Sequence, residues 1–533
     1  MPMMTGGQAL VGSLYREGVR VVFGLPGVQL YHVTDALYEE PGIRFITTRH
    51  EQGAAYMAYG YSRAGGDVGT ALVVPGPGLL NASAGIGTAY AASTPLLLVS
   101  GQINRDLIGV NRGELHEVDD QLDAIKTVTK WATRVLYPAE IPAAVHEAFH
   151  QLNTGRPRPV EIEVPPDALE EVAYVELREP GVYERPAASA KAIEDGARIL
   201  LESAKPIILA GGGVISSGAS EALQRVAEHL QAPVVATGEG KGAMSDRHHL
   251  SMGATSWRED AVDRLLDECD VILAVGTRLD RAKLRDEQRI VQIDVDDEEI
   301  GRNHSNTFGM VGDARLSLEE MYDVLSSSSP QRPGRLDELE AVKSARFDSL
   351  AQTEPQASFV RAIRAAMPDD GVLVEGVTQI GYYSRVFFPV YAPRTYLNSS
   401  YFGNLGYAYP TALGAKVAKP DRAVVAVSGD GGFLFNSQEL ATAVKYGINA
   451  VVIVFNDNAY GNVLRDQMTR FDGRTIGAEL HNPDFVKLAE AYGARGVRAQ
   501  GADQLESALR EALAIDAPTL IEVPVGMMQS PWK

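Results

Sequence analysis

A single cysteine, Cys269, stands in 533 residues. That excludes an intrachain disulfide and any metal centre built on clustered thiolates. Basic residues are also short: 49 Lys and Arg against 69 Asp and Glu leave a formal net charge of −20. No basic block offsets it, so phosphate repulsion argues against a nucleic-acid or anionic-membrane partner. A phosphate-bearing ligand would need a local device, either a cation or a ring of backbone N–H groups. Long apolar runs are missing too. The stretches 96–99 and 451–455 are far too short to span a bilayer. The opening residues MPMMTGGQALVGSLYREGV lack a basic start and a long apolar run, so no signal peptide is expected and a cytoplasmic setting fits.

What is present reads as ordinary globular protein, 45% hydrophobic and 22% charged. The chain is too long for one core, and two to four domains are expected. Short β-branched runs such as VVFGLPG, PIILAGGG, AVVAVSGDGG and AVVIVFN alternate with helical patterns. This predicts an α/β fold with parallel sheets buried on both faces. Two stretches rich in proline, charge or serine, 175–190 and 326–335, read as linkers. They divide the chain into units of about 1–175, 190–325 and 353–533, with a polar helical connector near 336–352. Each unit reads as a doubly wound parallel-sheet domain.

The clearest chemistry lies in the last unit. Residues 423–428 read as a strand, Gly429-Asp430-Gly431-Gly432 as a tight turn, and 436–446 as a helix capped by Asn436 or Ser437. The next strand, 450–455, runs out into Asn456-Asp457-Asn458-Ala459-Tyr460-Gly461. A right-handed βαβ crossover puts both polar turns side by side at the carboxyl ends of neighbouring strands, where open α/β sheets bind ligands. Gly431 and Gly432 let backbone N–H groups approach phosphate oxygens. Asp430 and Asp457 offer hard oxygen ligands suited to magnesium. GDG alone could be only a polar turn; GDGG followed by NDN one strand later is a stronger signal.

The segment SGDGGFLFNSQELATAVKYGINAVVIVFNDNAYGNV resembles the diphosphate-binding signature of thiamine-diphosphate enzymes, the acetolactate synthase, benzaldehyde lyase and pyruvate decarboxylase group. The resemblance covers nearly the whole chain. It implies thiamine diphosphate and Mg2+, with metal ligation by Asp430, Asp457 and the backbone carbonyl of Ala459, although many members carry asparagine where Asp457 stands. SYFGNLGYAYPTALGAKVAKPDRAV is similar to the stretch that bends the cofactor. There Leu405 matches the apolar wedge and Gly403 the glycine that receives the 4'-amino group. Val377 and Thr378 match the region covering the diphosphate, and Tyr460 and Gly461 are implied cofactor contacts. RHEQGAAYMAYGYSRAGG resembles the pyrimidine-binding segment, which makes Glu51 the activating carboxylate. By itself, a glutamate in a first helical turn is usually a surface residue matched to the helix dipole.

Other positions follow from the same resemblance. Gln29 aligns with a pocket histidine of benzaldehyde lyase. His116 falls on a pocket glutamine, as a candidate for proton transfer or substrate orientation. Gly76 and Asn81 lie in the glycine-rich loop before a helix, and Asn462 matches a substrate-facing position. Asp466 replaces the tryptophan by which the biosynthetic enzyme favours 2-ketobutyrate, which puts the branched-chain biosynthetic role in doubt. In the middle unit, Gly211-Gly212-Gly213 resembles a dinucleotide turn lacking its third glycine, since Ser216 stands there. VGTRLDRAKLRD, with Arg278, resembles the flavin loop; relatives bind FAD, ADP or nothing there, and FAD is not the favoured occupant.

The implied activity is a decarboxylase/carboligase acting on 2-oxo acids such as pyruvate. The alternatives are a carbon–carbon lyase or simple decarboxylase releasing an aldehyde, and a non-catalytic cofactor-binding protein on the same fold. The implied assembly is a homodimer at least, commonly a homotetramer, with Glu51 and the diphosphate grip contributed by different subunits.

Overall fold

The computed structural model describes residues 2–255, 260–280, 282–530 and 532. Arg281, inside the segment that resembles the flavin loop, lies outside them. The described residues form three six-stranded sheets, each wholly parallel. The strands are the predicted apolar runs. In Val424–Gly429 the first five residues are buried, as expected of a central parallel strand covered on both faces.

The first sheet contains, in chain order, Val21–Gly24, Arg44–Thr47, Gly69–Val73, Leu96–Gly101, Trp131–Arg134 and Val160–Val164. Their spatial order is second, first, third, fourth, sixth, fifth. The last sheet, from Val372–Glu375 to Thr519–Pro524, repeats that order strand for strand. The middle sheet, from Pro206–Ala210 to Thr307–Val311, runs third, second, first, fourth, fifth, sixth, the dinucleotide-binding arrangement. So the outer units share one topology and the middle unit has another. The helix Leu336–Ala351 forms the connector. The second predicted linker is partly helical, because Ala314–Ser328, capped by Asp313, continues into its serines. Among the described residues, no helix is long and apolar enough to cross a membrane.

The two outer units share a core containing Tyr56, Tyr59, Leu413, Phe433 and Leu440. Its centre is the contact between the helices Glu51–Gly65 and Ala408–Ala418. A side chain at Gly60 would overlap the backbone of Thr411, and one at Gly414 would overlap the backbone of Met57. Glycine at both positions lets the helices approach backbone to backbone.

Glu439 joins the units electrostatically. It is buried, and accepts hydrogen bonds from Arg49 N at 3.0 Å and Thr442 Oγ1 at 2.6 Å. Burial pushes its carboxyl up to about 7. The folded chain then keeps a proton that the unfolded chain has released, so stability falls as pH rises towards 7. Glu439→Gln should escape that fall. The Tm of the wild type, measured against that of the variant, is expected to drop as pH rises from about 5 to 7. A constant difference across that window would remove Glu439 from this role.

Candidate active site

Asp430 stands at the end of the strand Val424–Gly429 and opens the short helix Asp430–Leu434 at once, where a tight turn was expected. A carboxylate in a first helical turn is stabilised by the exposed N–H groups. The following helix starts at Glu439, three residues after the predicted start at Asn436, and neither Asn436 nor Ser437 caps it: Gln438 precedes it without a side-chain cap. Asn436 is occupied elsewhere: its Nδ2 donates to Gly406 O at 2.8 Å and to Gln52 Oε1 at 3.1 Å. The residue after Glu51 is thereby tied to the end of the GDGG loop.

Around this loop the predicted residues converge. A side chain at Gly431 would meet the Tyr460 ring at 2.6 Å, so the glycine leaves Tyr460 room to lie against the loop. One at Gly432 would lie 3.7 Å from Leu405 Cδ2, and one at Gly429 would lie 3.3 Å from Thr378 Oγ1. Val377 packs against the shared core. Gly403 has φ +61°, the left-handed conformation. Asp457 accepts from Ala459 N at 3.2 Å, and its Oδ2 leaves no space for a side chain at Gly461.

The two carboxylates perturb one another. Burial raises the Asp457 carboxyl to about 6, and the negative charge of Asp430 adds to the rise. Burial also raises Asp430, against hydrogen bonds from Gly431 and Asn482. Two carboxylates of like charge, one buried and one half-buried, are what a cation would relieve. Among the described residues no group of three or more His, Cys, Asp or Glu could hold a metal. An ion here would rest on this pair, a backbone carbonyl and ligand oxygens.

Asn482 was not anticipated. Its Nδ2 donates to Asp430 Oδ2 at 2.5 Å and to Asn456 Oδ1 at 2.9 Å. The segment that carries it is laid over the NDN turn by Tyr460 N→Ala478 O at 2.8 Å and Leu480 N→Asn458 O at 2.7 Å. An asparagine in an irregular stretch carries no periodic signal, so nothing in the sequence marks it.

Glu51 begins its helix immediately after His50, whose Nδ1 accepts from Gln52 N at 3.1 Å. The Glu51 side chain is 14% exposed, lies 4.0 Å from His50 Nδ1 and accepts from Asn81 Nδ2 at 3.1 Å. Gln29, Gly76 and His116 form a second group. His116 Nδ1 lies 3.2 Å from Gln29 Oε1, and Gln29 Nε2 donates to Leu115 O at 3.1 Å. Gly76 abuts the His116 backbone, and His116 has φ +71°, a strained value for a non-glycine residue. Gln121, which the sequence did not single out, holds this group: its Oε1 accepts from Gly76 N at 3.0 Å and its Nε2 donates to Glu163 at 2.8 Å.

Matches to models of thiamine pyrophosphate enzymes cover all three units: the N-terminal TPP binding domain at residues 4–124, the central domain at 193–321 and the C-terminal TPP binding domain at 376–523. The chain is also 34% identical to a protein of Methanocaldococcus jannaschii named as a probable acetolactate synthase large subunit, over 98% of this chain and 92% of that one. The chain belongs to the thiamine pyrophosphate enzymes. Two further relatives in this family carry different names. One is the Escherichia coli acetolactate synthase isozyme 3 large subunit, 33% identical over 96% of this chain and 93% of its own length. The other is a probable 2-ketoarginine decarboxylase of Pseudomonas aeruginosa, 35% identical over 98% of this chain and 94% of its own. Family membership explains the shared strand order of the outer units: the models assign thiamine pyrophosphate binding to both and not to the middle one.

The middle domain of this family member borders a cavity of about 650 Å³, within the range of cofactor sites. Gly212, Gly213, Arg278 and Asp294 line it from the middle domain, with Tyr382 and Trp532 from the C-terminal one. Ser216, in place of the third motif glycine, bonds back to Gly213 O at 3.2 Å. Burial pushes the Asp294 carboxyl up to about 6, and Arg278 lies 4.5 Å over the Tyr401 ring.

Proposed function

We propose that this protein is a Mg2+- and thiamine-diphosphate-dependent decarboxylase/carboligase that joins 2-oxo acids such as pyruvate in an acetolactate-like product. The observation that carries the reading is near-full-length similarity to acetolactate synthase large subunits in a chain that has Glu51, Leu405 and the Asp430–Asp457 pair. The residues fit the cofactor. The glycine backbone of the GDGG turn suits a diphosphate, and the paired carboxylates of Asp430 and Asp457 suit its cation. Thiamine diphosphate supplies a nucleophilic carbon and an electron sink for decarboxylation.

In this reading Asp430, Asp457 and the Ala459 carbonyl would hold Mg2+, and the backbone of Gly429–Gly432 and Thr378 would line the diphosphate. Leu405, against Gly432, would be the apolar support of the cofactor's rings, and Gly403 the acceptor of its amino group. Glu51, held by Asn81, would be the carboxylate that holds or passes a proton at the pyrimidine ring. His116, steered by Gln29, orients substrate or moves a proton to it. Asn462 faces the substrate.

A homodimer at least, and a homotetramer by family habit, completes the site. Val28, Leu80, Leu115, Phe435 and Val463 are exposed apolar residues, and each adjoins one of Gln29, Asn81, His116, Asn436 or Asn462 in the chain. Such surface next to a polar site suits burial by a second copy.

The name of the Pseudomonas aeruginosa relative supports a second reading, a decarboxylase that releases an aldehyde. Holoenzyme supplied with a panel of 2-oxo acids should release CO2 and form a 2-hydroxy-3-oxo acid as main product. Aldehyde as the main product would favour the second reading, and no turnover despite bound cofactor would leave a binding protein. The same preparation's absorbance spectrum tells whether FAD fills the middle cavity.

A further inference from the structure

Three polar side chains meet beside the GDGG loop. Asn462 Oδ1 accepts from Gln379 Nε2 at 3.1 Å and from Arg465 Nη2. Gln379 opens the helix Gln379–Phe387 directly after Thr378, which abuts Gly429. Arg465 lies one helical turn beyond Asn462, and its side chain is only 9% exposed.

Two atoms of this cluster are left over. Arg465 Nη1 and Gln379 Oε1 are both buried and have no hydrogen-bond partner in the structure. The nearby anion does not resolve this. Asp466 lies 3.7 Å from Arg465 Nη2 and is shared with Arg470 at 3.6 Å, so two guanidinium groups divide one carboxylate. A guanidinium kept from water with a spare N–H needs an acceptor, and a carboxylate matches it best. The spare amide oxygen of Gln379 needs a donor. A carboxylate with a hydroxyl on the adjoining carbon presents both groups.

We propose that Arg465, oriented by Asn462, receives the carboxylate of the acceptor 2-oxo acid, and that Gln379 accepts the hydroxyl formed beside it. This rests on the carboligase reading and names the residues that hold its acceptor. In the reaction the donor's bond to its carboxylate breaks and CO2 leaves. The electron pair forms the new bond to the acceptor's carbonyl carbon, and the acceptor's oxygen takes up one proton to become the hydroxyl. The acceptor's own carboxylate is retained, which is why a fixed cation serves it. Arg465 therefore selects a charged acceptor over an aldehyde, and the product is an acid.

The test uses holoenzyme with one donor from the panel and two acceptors of equal chain length, a 2-oxo acid and the aldehyde that lacks its carboxylate. The wild type should prefer the acid by at least roughly 10-fold in kcat/KM. Arg465→Gln should raise KM for the acid by roughly 10- to 100-fold, leaving its kcat and both constants for the aldehyde near wild type. Arg465→Lys should recover part of the loss. Gln379→Glu, which puts a negative charge beside the site, should weaken the acid acceptor alone. A wild type that prefers the aldehyde overturns the proposal, even if Arg465→Gln does not fold. So does an equal loss for both acceptors. Slower CO2 release by Arg465→Gln without any acceptor overturns it in favour of the donor's carboxylate. Absence of CO2 release from every 2-oxo acid sinks the carboligase reading itself, whereas release with the wrong selectivity sinks only this inference.

Discussion

Glu51→Gln is expected to slow exchange of the cofactor's C2 proton with deuterium by at least about 100-fold, the scale of a lost acid–base group. Glutamine keeps the size of the side chain and an oxygen that can accept from Asn81 Nδ2, so the helix start should survive. What it loses is a carboxylate able to exchange a proton with the pyrimidine ring. The 14% exposure of Glu51 limits the chance that water takes over the task. Binding of thiamine diphosphate should change much less than exchange does, because the diphosphate grip lies in the other outer unit. Exchange at a near-normal rate in the folded variant would remove Glu51 from the role given to it here. Loss of exchange and of cofactor binding together would point to a collapsed site, and unfolding temperature separates the two outcomes.

Asp430→Ala should abolish retention of the cofactor with Mg2+, raising its apparent Kd by at least about 100-fold, beyond what outer-shell changes around a metal usually cost. Asp430 is buried at the start of a helix, and Asn482 donates to it at 2.5 Å. Alanine would leave Asp457 as the lone carboxylate for the ion. Asp457→Asn is the informative contrast. An amide oxygen is still a hard ligand. The exchange also removes a carboxyl that burial and the charge of Asp430 hold up at about 6. Its Kd should stay within about tenfold of the wild type at neutral pH. Titration calorimetry with thiamine diphosphate at fixed Mg2+ measures both. Equal, mild effects of the two substitutions would mean that the ion does not rest on this pair.

Local pattern carried much of this molecule. The three α/β units were legible because buried parallel strands read as short β-branched runs. The GDGG and NDN turns were legible because one βαβ unit sets both at neighbouring strand ends. Glu51 was legible only through the similarity of its whole segment, since one carboxylate in a first helical turn carries no signal of its own. Folding decided what joins residues far apart in the chain. Asn482 reaches Asp430 from a segment without periodicity, and Gln121 holds Gly76 although a helix and a strand lie between them in the chain. Gln379, Asn462 and Arg465 meet although three strands and several helices separate the first from the other two. The identical strand order of the outer units, and its difference from the middle one, also emerged only from the pairing of the sheets. Composition and periodicity record which face of an element is buried. Which polar atoms are left unpaired there depends on every neighbour at once, and that is decided only when the chain has packed.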